Sequence, residues 1–303
     1  MIHRSLSLLL FSSLLIHSVR AEFSKDFSAW IVENFGEDVR SRLERNDLGA
    51  KGSFGGKERR DEVLENQPVV FIHGVSDTAG ERMAGAAKYF KKFGYKDSEL
   101  YATTYANGAQ GNPLQWAQYS MECAYVKQVR ALIVAVRLYT GRAVDVVGYS
   151  LGVPVTRKAI LGGKCVDTGE DLGRPLTRFI DTYVGIAGPN HGIALQAGGI
   201  SIPGCVFSVI PVCNQKTGLY SGLCPSESEY LQDINKQSHY EGKNVFSIFS
   251  KADQLVGYQV CNRITTQVPG QQGEKVFEDK NHDQTFFDSY ETLRQMVLNH
   301  QVV

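Results

Sequence analysis

The stretch VDVVGYSLG, residues 144–152, decides the fold predicted for this chain. Its first four residues are a short, mostly apolar run of the kind that forms a buried strand, and the residues from Leu151 to Leu161 are typical of a helix. Between them, the pattern G-x-S-x-G is typical of a tight turn, because its glycines let the backbone fold sharply and leave the hydroxyl of Ser150 exposed above the sheet. We therefore expect a strand, a sharp turn that carries a serine nucleophile, and a helix.

The rest of the chain repeats this alternation of strand and helix. Further apolar runs predict strands at residues 69–72, 100–104, 182–187 and 245–249, with a weaker candidate at 275–277. Helices are predicted at residues 22–45, 81–92, 114–138, 151–161 and 286–298. Strands that are apolar at consecutive positions are buried on both faces. The pattern therefore predicts an α/β fold, with a mostly parallel sheet and helices on both of its faces.

Two segments interrupt the alternation. Residues 49–56 are rich in glycine but contain neither G-x-x-x-x-G-K-S/T nor G-x-G-x-x-G, so we interpret them as a flexible connector rather than a phosphate-binding loop. Residues 188–240 hold many Gly, Pro and Ser residues and three cysteines but no strong strand. Because so long a structureless connection is unusual inside a domain, we expect an insertion with its own helices and disulfides, and a possible lid, over one end of the sheet. Residues 22–303 are expected to form one domain.

Residues 1–21 are expected to be a secretory signal peptide. Arg4 supplies a positive start, residues 8–16 (LLLFSSLLI) form a short apolar core, and the sequence Val-Arg-Ala before residue 22 has small residues where a signal peptidase requires them. The alternative is a membrane anchor, but this apolar core is too short to cross about 30 Å of hydrocarbon. No later stretch is long and apolar enough to be a transmembrane segment, so we expect a secreted protein.

Charge and cysteine content narrow the function further. The 303 residues include 32 Lys and Arg and 32 Asp and Glu, and this balance argues against nucleic-acid binding, which needs a basic surface. The 6 cysteines are an even number, which predicts three disulfides in an oxidising compartment but leaves every pairing open. There is no C-x-x-C pair and no matching histidine spacing, so we expect no metal site.

A serine hydroxyl is a weak nucleophile and needs a base that an acid orients. In the chain order serine, acid, histidine, the best base is His282, which follows the last candidate strand and precedes the final helix. The best acid is Asp253, which follows the strand at 245–249, because the carboxyl ends of parallel strands lie at one edge of the sheet. We therefore assign Ser150, Asp253 and His282 as candidate nucleophile, acid and base.

Other residues remain as alternatives for the base and the acid. His191 follows the strand at 182–187 so closely that little room is left for an acid before it. His239 lies in the polar insertion, and His300 lies three residues from the end of the chain. Among the acids, Asp233 lies in the insertion and Asp279 only three residues before the preferred histidine.

A developing oxyanion needs two N–H donors near the serine. The loop FIHGV, residues 71–75, follows an early strand, and Gly74 lets the backbone approach an acyl carbonyl. We expect the main-chain amides of Val75 and Leu151 to be the two donors, the second of them at the N-terminus of the helix beyond the serine. His73 precedes the serine in the chain, so we expect it to make a supporting hydrogen bond within its loop rather than act as the base.

These motifs resemble the secreted α/β-hydrolases of the class 2 lipase family over about residues 66–300. The most specific of them are VFIHGV at 70–75, VVGYSLG at 146–152, GPNHG at 188–192 and SKADQLV at 250–256. The resemblance implies an α/β-hydrolase fold and hydrolysis of triacylglycerols or other carboxylic esters without a metal ion or other cofactor. Residue by residue, it implies Ser150 as nucleophile, Asp253 as acid and His282 as base.

The predicted function is therefore a secreted serine hydrolase of carboxylic esters, foremost a triacylglycerol lipase. Its expected partner is an ester or lipid substrate at a lipid–water interface. The small bacterial members of the family are compact, and this chain has two segments in addition to their fold: the cysteine-bearing insertion and the N-terminal segment of the mature chain. Because the insertion could cover the serine or narrow the pocket, the reaction type is better defined than the substrate. The alternatives are a short-chain esterase, a thioesterase, an acyltransferase, or a non-catalytic binding protein on the same fold, and the sequence leaves the oligomeric state open.

Overall fold

A computed structural model describes residues 22–108, 115–197, 200–224 and 226–303 of the chain, and the predicted signal peptide lies outside these residues. The strands are β1 Ser53–Phe54, β2 Val69–Ile72, β3 Leu100–Thr103, β4 Val144–Tyr149, β5 Ile180–Ile186, β6 Ala194–Ala197, β7 Ile200–Pro203, β8 Asn244–Ser250, β9 Gln259–Val260, β10 Arg263–Ile264 and β11 Gly273–Phe277. The α-helices are α1 Lys25–Phe35, α2 Glu37–Glu44, α3 Ala84–Lys92, α4 Cys123–Thr140, α5 Gly152–Leu161, α6 Glu229–Asn235, α7 His282–Phe287 and α8 Tyr290–Asn299.

Seven of these strands form the central sheet, in the order β1-β3-β2-β4-β5-β8-β11. All neighbouring pairs are parallel except β1 and β3. The strand before the serine, β4, lies in the middle, where Val147 is level with Phe71 of β2 and Val184 of β5. The predicted mostly parallel sheet is confirmed, and its order places the end of β4 at the centre of one sheet edge.

Helices cover both faces of this sheet, as predicted, because successive strand residues point to opposite sides. Val70 and Val146 pack in an apolar core with residues of α1, α4 and α5. Phe71 and Val147, one residue further along each strand, pack in a second core with residues of α3, α7 and α8. Consecutive apolar residues in the strands are therefore explained by burial on both faces.

The glycine-rich segment 49–56 is not a flexible connector, and that prediction was wrong. Ser53 and Phe54 form β1, which pairs with β3 at the edge of the sheet, and Phe54 is buried. Gly55 has a φ of +120°, and a Cβ at this position would lie 2.3 Å from a main-chain oxygen of β3. The glycine is thus required by a close backbone contact at a sheet edge.

Three predicted helices differ clearly from the structure, and the one expected over residues 286–298 is divided between α7 and α8. The helix expected over residues 22–45 is divided into α1 and α2 at Gly36, whose φ of +87° is not helical. The helix expected from residue 114 begins at Cys123 and is preceded by a short 3-10 turn, Trp116–Gln118, while residue 114 itself lies outside the described residues. Among the described helices, none has the length and apolar character that a membrane crossing demands.

The three predicted disulfides are present and use all 6 cysteines. They join Cys123 to Cys165, Cys205 to Cys213 and Cys224 to Cys261. The second bridge lies within the segment 188–240, and the third connects that segment to the chain between β9 and β10. This segment also contains the antiparallel hairpin β6–β7, which the sequence did not predict, and the helix α6.

A buried arginine fixes the base of the same segment. Arg157 of α5 is completely buried and donates hydrogen bonds to Glu241, to the side chains of Asn190 and Asn235, and to the carbonyl of Ile234. Asn190 lies at the beginning of the segment 188–240, Ile234 and Asn235 lie near its end, and Glu241 follows it directly. The segment is therefore attached at both ends to the helix that follows the serine.

Candidate active site

Ser150 occupies a strained turn between β4 and α5. Its φ is +51°, a left-handed conformation that costs a non-glycine residue free energy and is found preferentially at functional sites. The turn closes through a hydrogen bond from the Val153 amide to the Ser150 carbonyl, 2.9 Å long. A Cβ on Gly148 would lie only 3.0 Å from the Cα of Val153, so the glycine permits the helix to start directly behind the strand. This is the geometry expected of a nucleophile elbow.

His282 and Asp253 lie beside this serine, although about 130 and 100 residues separate them from it in the chain. The Nε2 atom of His282 is 2.9 Å from Ser150 Oγ, and its Nδ1 atom is 2.7 Å from Asp253 Oδ2. A carboxylate only accepts hydrogen bonds, so Nδ1 carries the proton and Nε2 is free to accept the serine hydroxyl proton. The three side chains therefore form one hydrogen-bonded series from hydroxyl to carboxylate.

Local structure fixes the acid and the histidine. Asp253 follows β8, and its other oxygen, Oδ1, accepts hydrogen bonds from the amides of Leu255 and Val256 at 2.9 and 3.0 Å. His282 is the first residue of α7, whose N-terminus is capped by the side chain of Asn281. Both side chains are buried, so their hydrogen bond is shielded from water.

The loop of residues 73–78, between β2 and the next helical turn, runs against the serine. A Cβ on Gly74 would lie 2.8 Å from the Cβ of Ser150, so no larger residue fits without a shift of the chain. Val75 is the next residue of this loop, while Leu151 directly follows Ser150 at the start of α5. Both predicted oxyanion donors therefore belong to segments that border Ser150.

His73 supports the 73–78 loop, in agreement with the prediction. Its Nε2 atom accepts a hydrogen bond from the Tyr105 amide at 3.1 Å, so Nδ1 carries the proton and donates to the Gly74 carbonyl at 2.7 Å. The imidazole also stacks on the Tyr105 ring, with 4.3 Å between ring centres. Burial lowers the pKa of His73 from 6.5 to about 4, so the ring is neutral near pH 7.

The alternative bases and acids have other positions. His191 lies 2.9 Å from Glu227, and His300 lies 3.0 Å from Asp181 at the surface. His239 and Asp279 are exposed. Asp233 lies 2.6 Å from the Nζ atom of Lys158. Within the part of the chain that the structure describes, the Ser150 side chain is hydrogen-bonded to His282 and to none of these five candidates.

Residues that the sequence analysis did not single out connect the site to its surroundings. The Tyr149 hydroxyl donates its one proton to Asp283 Oδ1 at 3.1 Å, and the His282 carbonyl lies 3.4 Å from the same hydroxyl. Arg82 lies over the Tyr149 ring and pairs with Asp77 in the 73–78 loop. The only sequence signal for these residues is that Tyr149 and Asp283 are the immediate neighbours of two predicted site residues.

The sheet order and the strained turn between β4 and α5 are those of an α/β-hydrolase fold, and the buried serine–histidine–aspartate series is its candidate active site. The chain belongs to the class 2 lipase family, whose model, described as lipase (class 2), matches residues 66–295. The resemblance that the sequence motifs indicated is confirmed. Members of this family are carboxylic-ester hydrolases.

Solved structures that are similar to this chain include several lipases. Aspergillus fumigatus lipase B has a TM-score of 0.52 at 13% identity, over 78% of this chain and 53% of its own. The mature form of a Bacillus licheniformis lipase has a TM-score of 0.49 at 13% identity, over 81% of this chain and 97% of its own. A Paleococcus ferrophilus monoacylglycerol lipase has a TM-score of 0.47 at 14% identity, over 82% of this chain and 98% of its own.

This chain spans about half the length of the Aspergillus lipase. At 13% identity, the similarity to that enzyme shows a common fold and nothing finer. No curated protein sequence matches the chain.

Proposed function

We propose that this chain is a secreted lipase that hydrolyses carboxylic esters of lipids, triacylglycerols foremost, through an acyl-enzyme on Ser150. One observation carries the proposal: the hydrogen-bonded series Ser150–His282–Asp253, with distances of 2.9 and 2.7 Å. In this arrangement the histidine is correctly oriented to remove the serine proton, and the acid is placed to stabilise the resulting imidazolium.

In the first step, His282 Nε2 takes the hydroxyl proton of Ser150 as its Oγ atom attacks the ester carbonyl. A new C–O bond forms, and the carbonyl π electrons move to the oxygen. Asp253 keeps its negative charge and stabilises the positive imidazole through the proton on Nδ1. Because both partners are buried, this interaction is stronger than it would be in water.

The negative oxygen of the tetrahedral intermediate then needs donors that are already in place. We assign this role to the main-chain amides of Val75 and Leu151. A donor of this kind contributes roughly 2.7–4 kcal/mol to transition-state stabilisation. The close contact of Gly74 with Ser150 and the position of Leu151 at the N-terminus of α5 support the assignment.

The intermediate collapses when the bond to the alcohol oxygen breaks and His282 gives that oxygen its proton. The acyl group remains on Ser150 as an ester. A water molecule, deprotonated by the same histidine, attacks this ester and releases the fatty acid. The serine regains its proton, so acid, base and nucleophile end each cycle unchanged.

The surface near the acid supports a lipid substrate. Leu255, two residues after Asp253, is 64% exposed, and the hairpin β6–β7 is hydrogen-bonded to the next residue, Val256. Leu195 and Ile202 pair across that hairpin and are both exposed. Further exposed apolar side chains follow in the same segment; they are Phe207, Val209, Ile210 and Leu223.

This apolar surface carries almost no charge. Between Asp181 and Glu227, Lys216 is the only Asp, Glu, Lys or Arg residue. Several exposed apolar side chains within one short segment are typical of an interaction site. The near absence of charge favours an uncharged lipid surface, such as a triacylglycerol emulsion, over a membrane of anionic lipids.

Secretion is supported by the predicted signal peptide and by the disulfides. All 6 cysteines are paired, and such bridges persist in oxidising compartments. The N-terminal sequence of the protein recovered from culture medium tests this part of the proposal. We expect it to begin at Glu22, whereas retention of the protein inside the cell would contradict secretion.

The reaction is tested by hydrolysis of p-nitrophenyl esters of two to sixteen carbons by the mature protein, with Ser150→Ala as the matched inactive variant. We expect activity that rises with chain length and is lost in Ser150→Ala without loss of folding. Activity confined to short chains would instead indicate an esterase. Full activity in the variant would refute the assignment of Ser150, and inactivity of the folded parent would favour a binding protein.

The lipid surface is tested by adsorption to a neutral triolein emulsion. Phe207→Ser and Val209→Ser should weaken adsorption, while hydrolysis of a soluble short-chain ester stays unchanged. Val63→Ser is the matched control, because Val63 is 76% exposed but precedes the amino end of β2, whereas Ser150 and Asp253 follow the carboxyl ends of their strands. Equal adsorption of all three variants would contradict the role of this surface.

A further inference from the structure

One arginine touches three segments that meet at the candidate site. Arg82 lies in a π-helical turn, Ala79–Met83, which follows the 73–78 loop. Its Nε atom donates a 2.6 Å hydrogen bond to Asp77 of that loop. Its guanidinium lies 5.0 Å from the centre of the Tyr149 ring, and its Nη1 atom lies 2.9 Å from Asp283 Oδ1.

Each of these three contacts lies next to a group that the proposed reaction needs. Asp77 belongs to the loop that includes Val75, the proposed oxyanion donor. Tyr149 is the residue before Ser150, and Asp283 is the residue after His282. Asp253, the remaining member of the proposed series, is held by the amides of Leu255 and Val256.

The contacts form a closed arrangement rather than three separate pairs. The Tyr149 hydroxyl donates to the same Asp283 oxygen that faces Arg82, and it also reaches the His282 carbonyl. On another side of the guanidinium, the Phe287 ring of α7 lies 4.9 Å away. The side chain of Arg82 is only 19% exposed, so these charge and ring interactions are partly protected from water.

The Asp77 carboxylate is oriented towards Arg82 by a hydrogen bond within its own loop. Its Oδ1 atom accepts a 2.7 Å hydrogen bond from the Thr78 amide, which leaves Oδ2 for Arg82. Burial raises the pKa of Asp77, and the charge of Arg82 opposes this increase. Removal of the arginine would therefore leave a buried carboxylate without its counter-charge.

We infer that Arg82 is a positioning residue that fixes the 73–78 loop, the serine turn and the base of α7 relative to one another. The inference rests on the proposed function, because it assigns Arg82 to the same reaction. A guanidinium suits this role better than an ammonium, since its planar fork offers donors in several fixed directions and stacks on aromatic rings. A displacement of about 1 Å between reacting groups is enough to cost about 10²-fold in rate.

The experiment compares Arg82→Met and Arg82→Lys with the control Arg294→Met. Arg294 is a close match, because it is 13% exposed, pairs with Glu291 at 2.7 Å and lies 4.4 Å from the Phe93 ring. Unlike the partners of Arg82, these residues belong to α8 and to the end of α3 and are not chain neighbours of Ser150 or His282. For each protein we would measure kcat and KM on a soluble ester, the rate constant of phosphonylation by a fluorophosphonate, and the thermal unfolding midpoint.

We expect Arg82→Met to lower kcat and the phosphonylation rate constant by about 10²-fold with little change in KM. Arg82→Lys should recover part of this loss, and Arg294→Met should react like the parent. Equal rate constants in folded Arg82→Met and Arg294→Met would overturn the inference. If the parent and Arg294→Met fail to react at all, the proposed function fails instead, so the two failures are distinguishable.

A second variant keeps the inference testable if Arg82→Met does not fold. Asp283→Asn alters a side chain that is 58% exposed, so we expect it to fold, and it weakens one of the three contacts of Arg82. A reduced phosphonylation rate constant in Asp283→Asn would support the inference. An unchanged rate constant in both Asp283→Asn and Arg82→Lys would overturn it.

Discussion

Gly152 lies directly against the main-chain carbonyl of His73, so that a Cβ on Gly152 would come within 2.3 Å of that oxygen. The first residue of α5 thus contacts the loop that follows β2. Because Ser150 and Gly74 are also in contact, the serine turn and the 73–78 loop touch at two points. Their relative position depends on the absence of side chains at both glycines.

We therefore predict that Gly152→Ala lowers both activity and stability. The added methyl group must displace the His73 carbonyl, and overpacking of this kind costs about 1–3 kcal/mol of the free energy of unfolding. A displaced loop should lower kcat by about 10²-fold. Ester hydrolysis and urea unfolding measure the two effects.

Gly85→Ala is the control for this substitution. Gly85 lies inside α3, and the nearest atom to its added Cβ is the Tyr290 hydroxyl at 3.0 Å, at the end of a side chain rather than in the backbone. Alanine also favours a helix over glycine, so this variant should keep its activity and much of its stability. Normal activity in Gly152→Ala would show that the close contact between Gly152 and the His73 carbonyl is not required for catalysis.

We predict that Asp253→Asn lowers kcat by up to about 10⁴-fold while the protein remains folded. An asparagine can present an N–H to His282 Nδ1, which favours the wrong tautomer and leaves Nε2 unable to accept the serine proton. Asp279→Asn, at an exposed position, is the control and should have parental kcat. A large loss in the control instead would assign the acid to Asp279.

The pKa of His73 predicts a specific loss of stability in acid. Folding lowers this pKa from 6.5 to about 4, so below pH 6.5 the unfolded chain takes up a proton that the folded chain refuses. The contribution of neutral His73 to the free energy of unfolding is fully present above pH 6.5, and it is lost as the pH falls towards 4. The shift corresponds to about 3 kcal/mol at most.

Urea unfolding at pH 7 and at pH 4 measures this effect. The parent should lose about 3 kcal/mol more than His73→Asn over this interval, because the variant cannot bind the proton. His239→Asn is the control, since His239 is exposed and has a φ of +62°, which asparagine tolerates well. Equal pH dependence in the parent and His73→Asn would disprove the role of His73.

The buried pair Arg157–Glu241 predicts a different stability pattern. Arg157→Met leaves Glu241 buried without its counter-charge, which should cost about 3–5 kcal/mol. Arg157→Met with Glu241→Gln removes both charges and should be more stable than Arg157→Met alone. Thermal unfolding of the two single variants and the double variant measures the coupling, and strict additivity would contradict it.

Much of the fold, and the close approach of the three candidate site residues, could be predicted because both follow from local patterns. The predicted bounds of the strand at residues 69–72 agree with the observed ones. The predicted bounds of β4, β5 and β8 differ from the observed ones by at most a few residues. Ser150 and Asp253 follow strands whose carboxyl ends share one edge of the sheet, and His282 follows the last strand. Once the strands are placed, these side chains are confined to the same region.

Other features depend on contacts that leave no periodic pattern in the sequence. Arg82 meets Asp77, Tyr149 and Asp283, which are distributed over more than two hundred residues of the chain, and a single arginine in a turn gives no sign of such partners. The two-residue strand β1 is too short for an alternation to be recognised. The disulfide pairing depends on distances between folded segments, so the sequence could fix only the number of bridges.

The strand β1 and helix α1 have a practical consequence for any shortened form of the protein. The family model begins at residue 66, yet Phe27 of α1 packs on Tyr101 and Tyr139, and β1 covers the outer edge of β3. A chain shortened to residues 66–295 would expose the outer edge of β3 and also the rings of Tyr101 and Tyr139, on which Phe27 packs. An uncovered strand pairs readily with other chains, so we expect such a fragment to precipitate rather than remain monomeric.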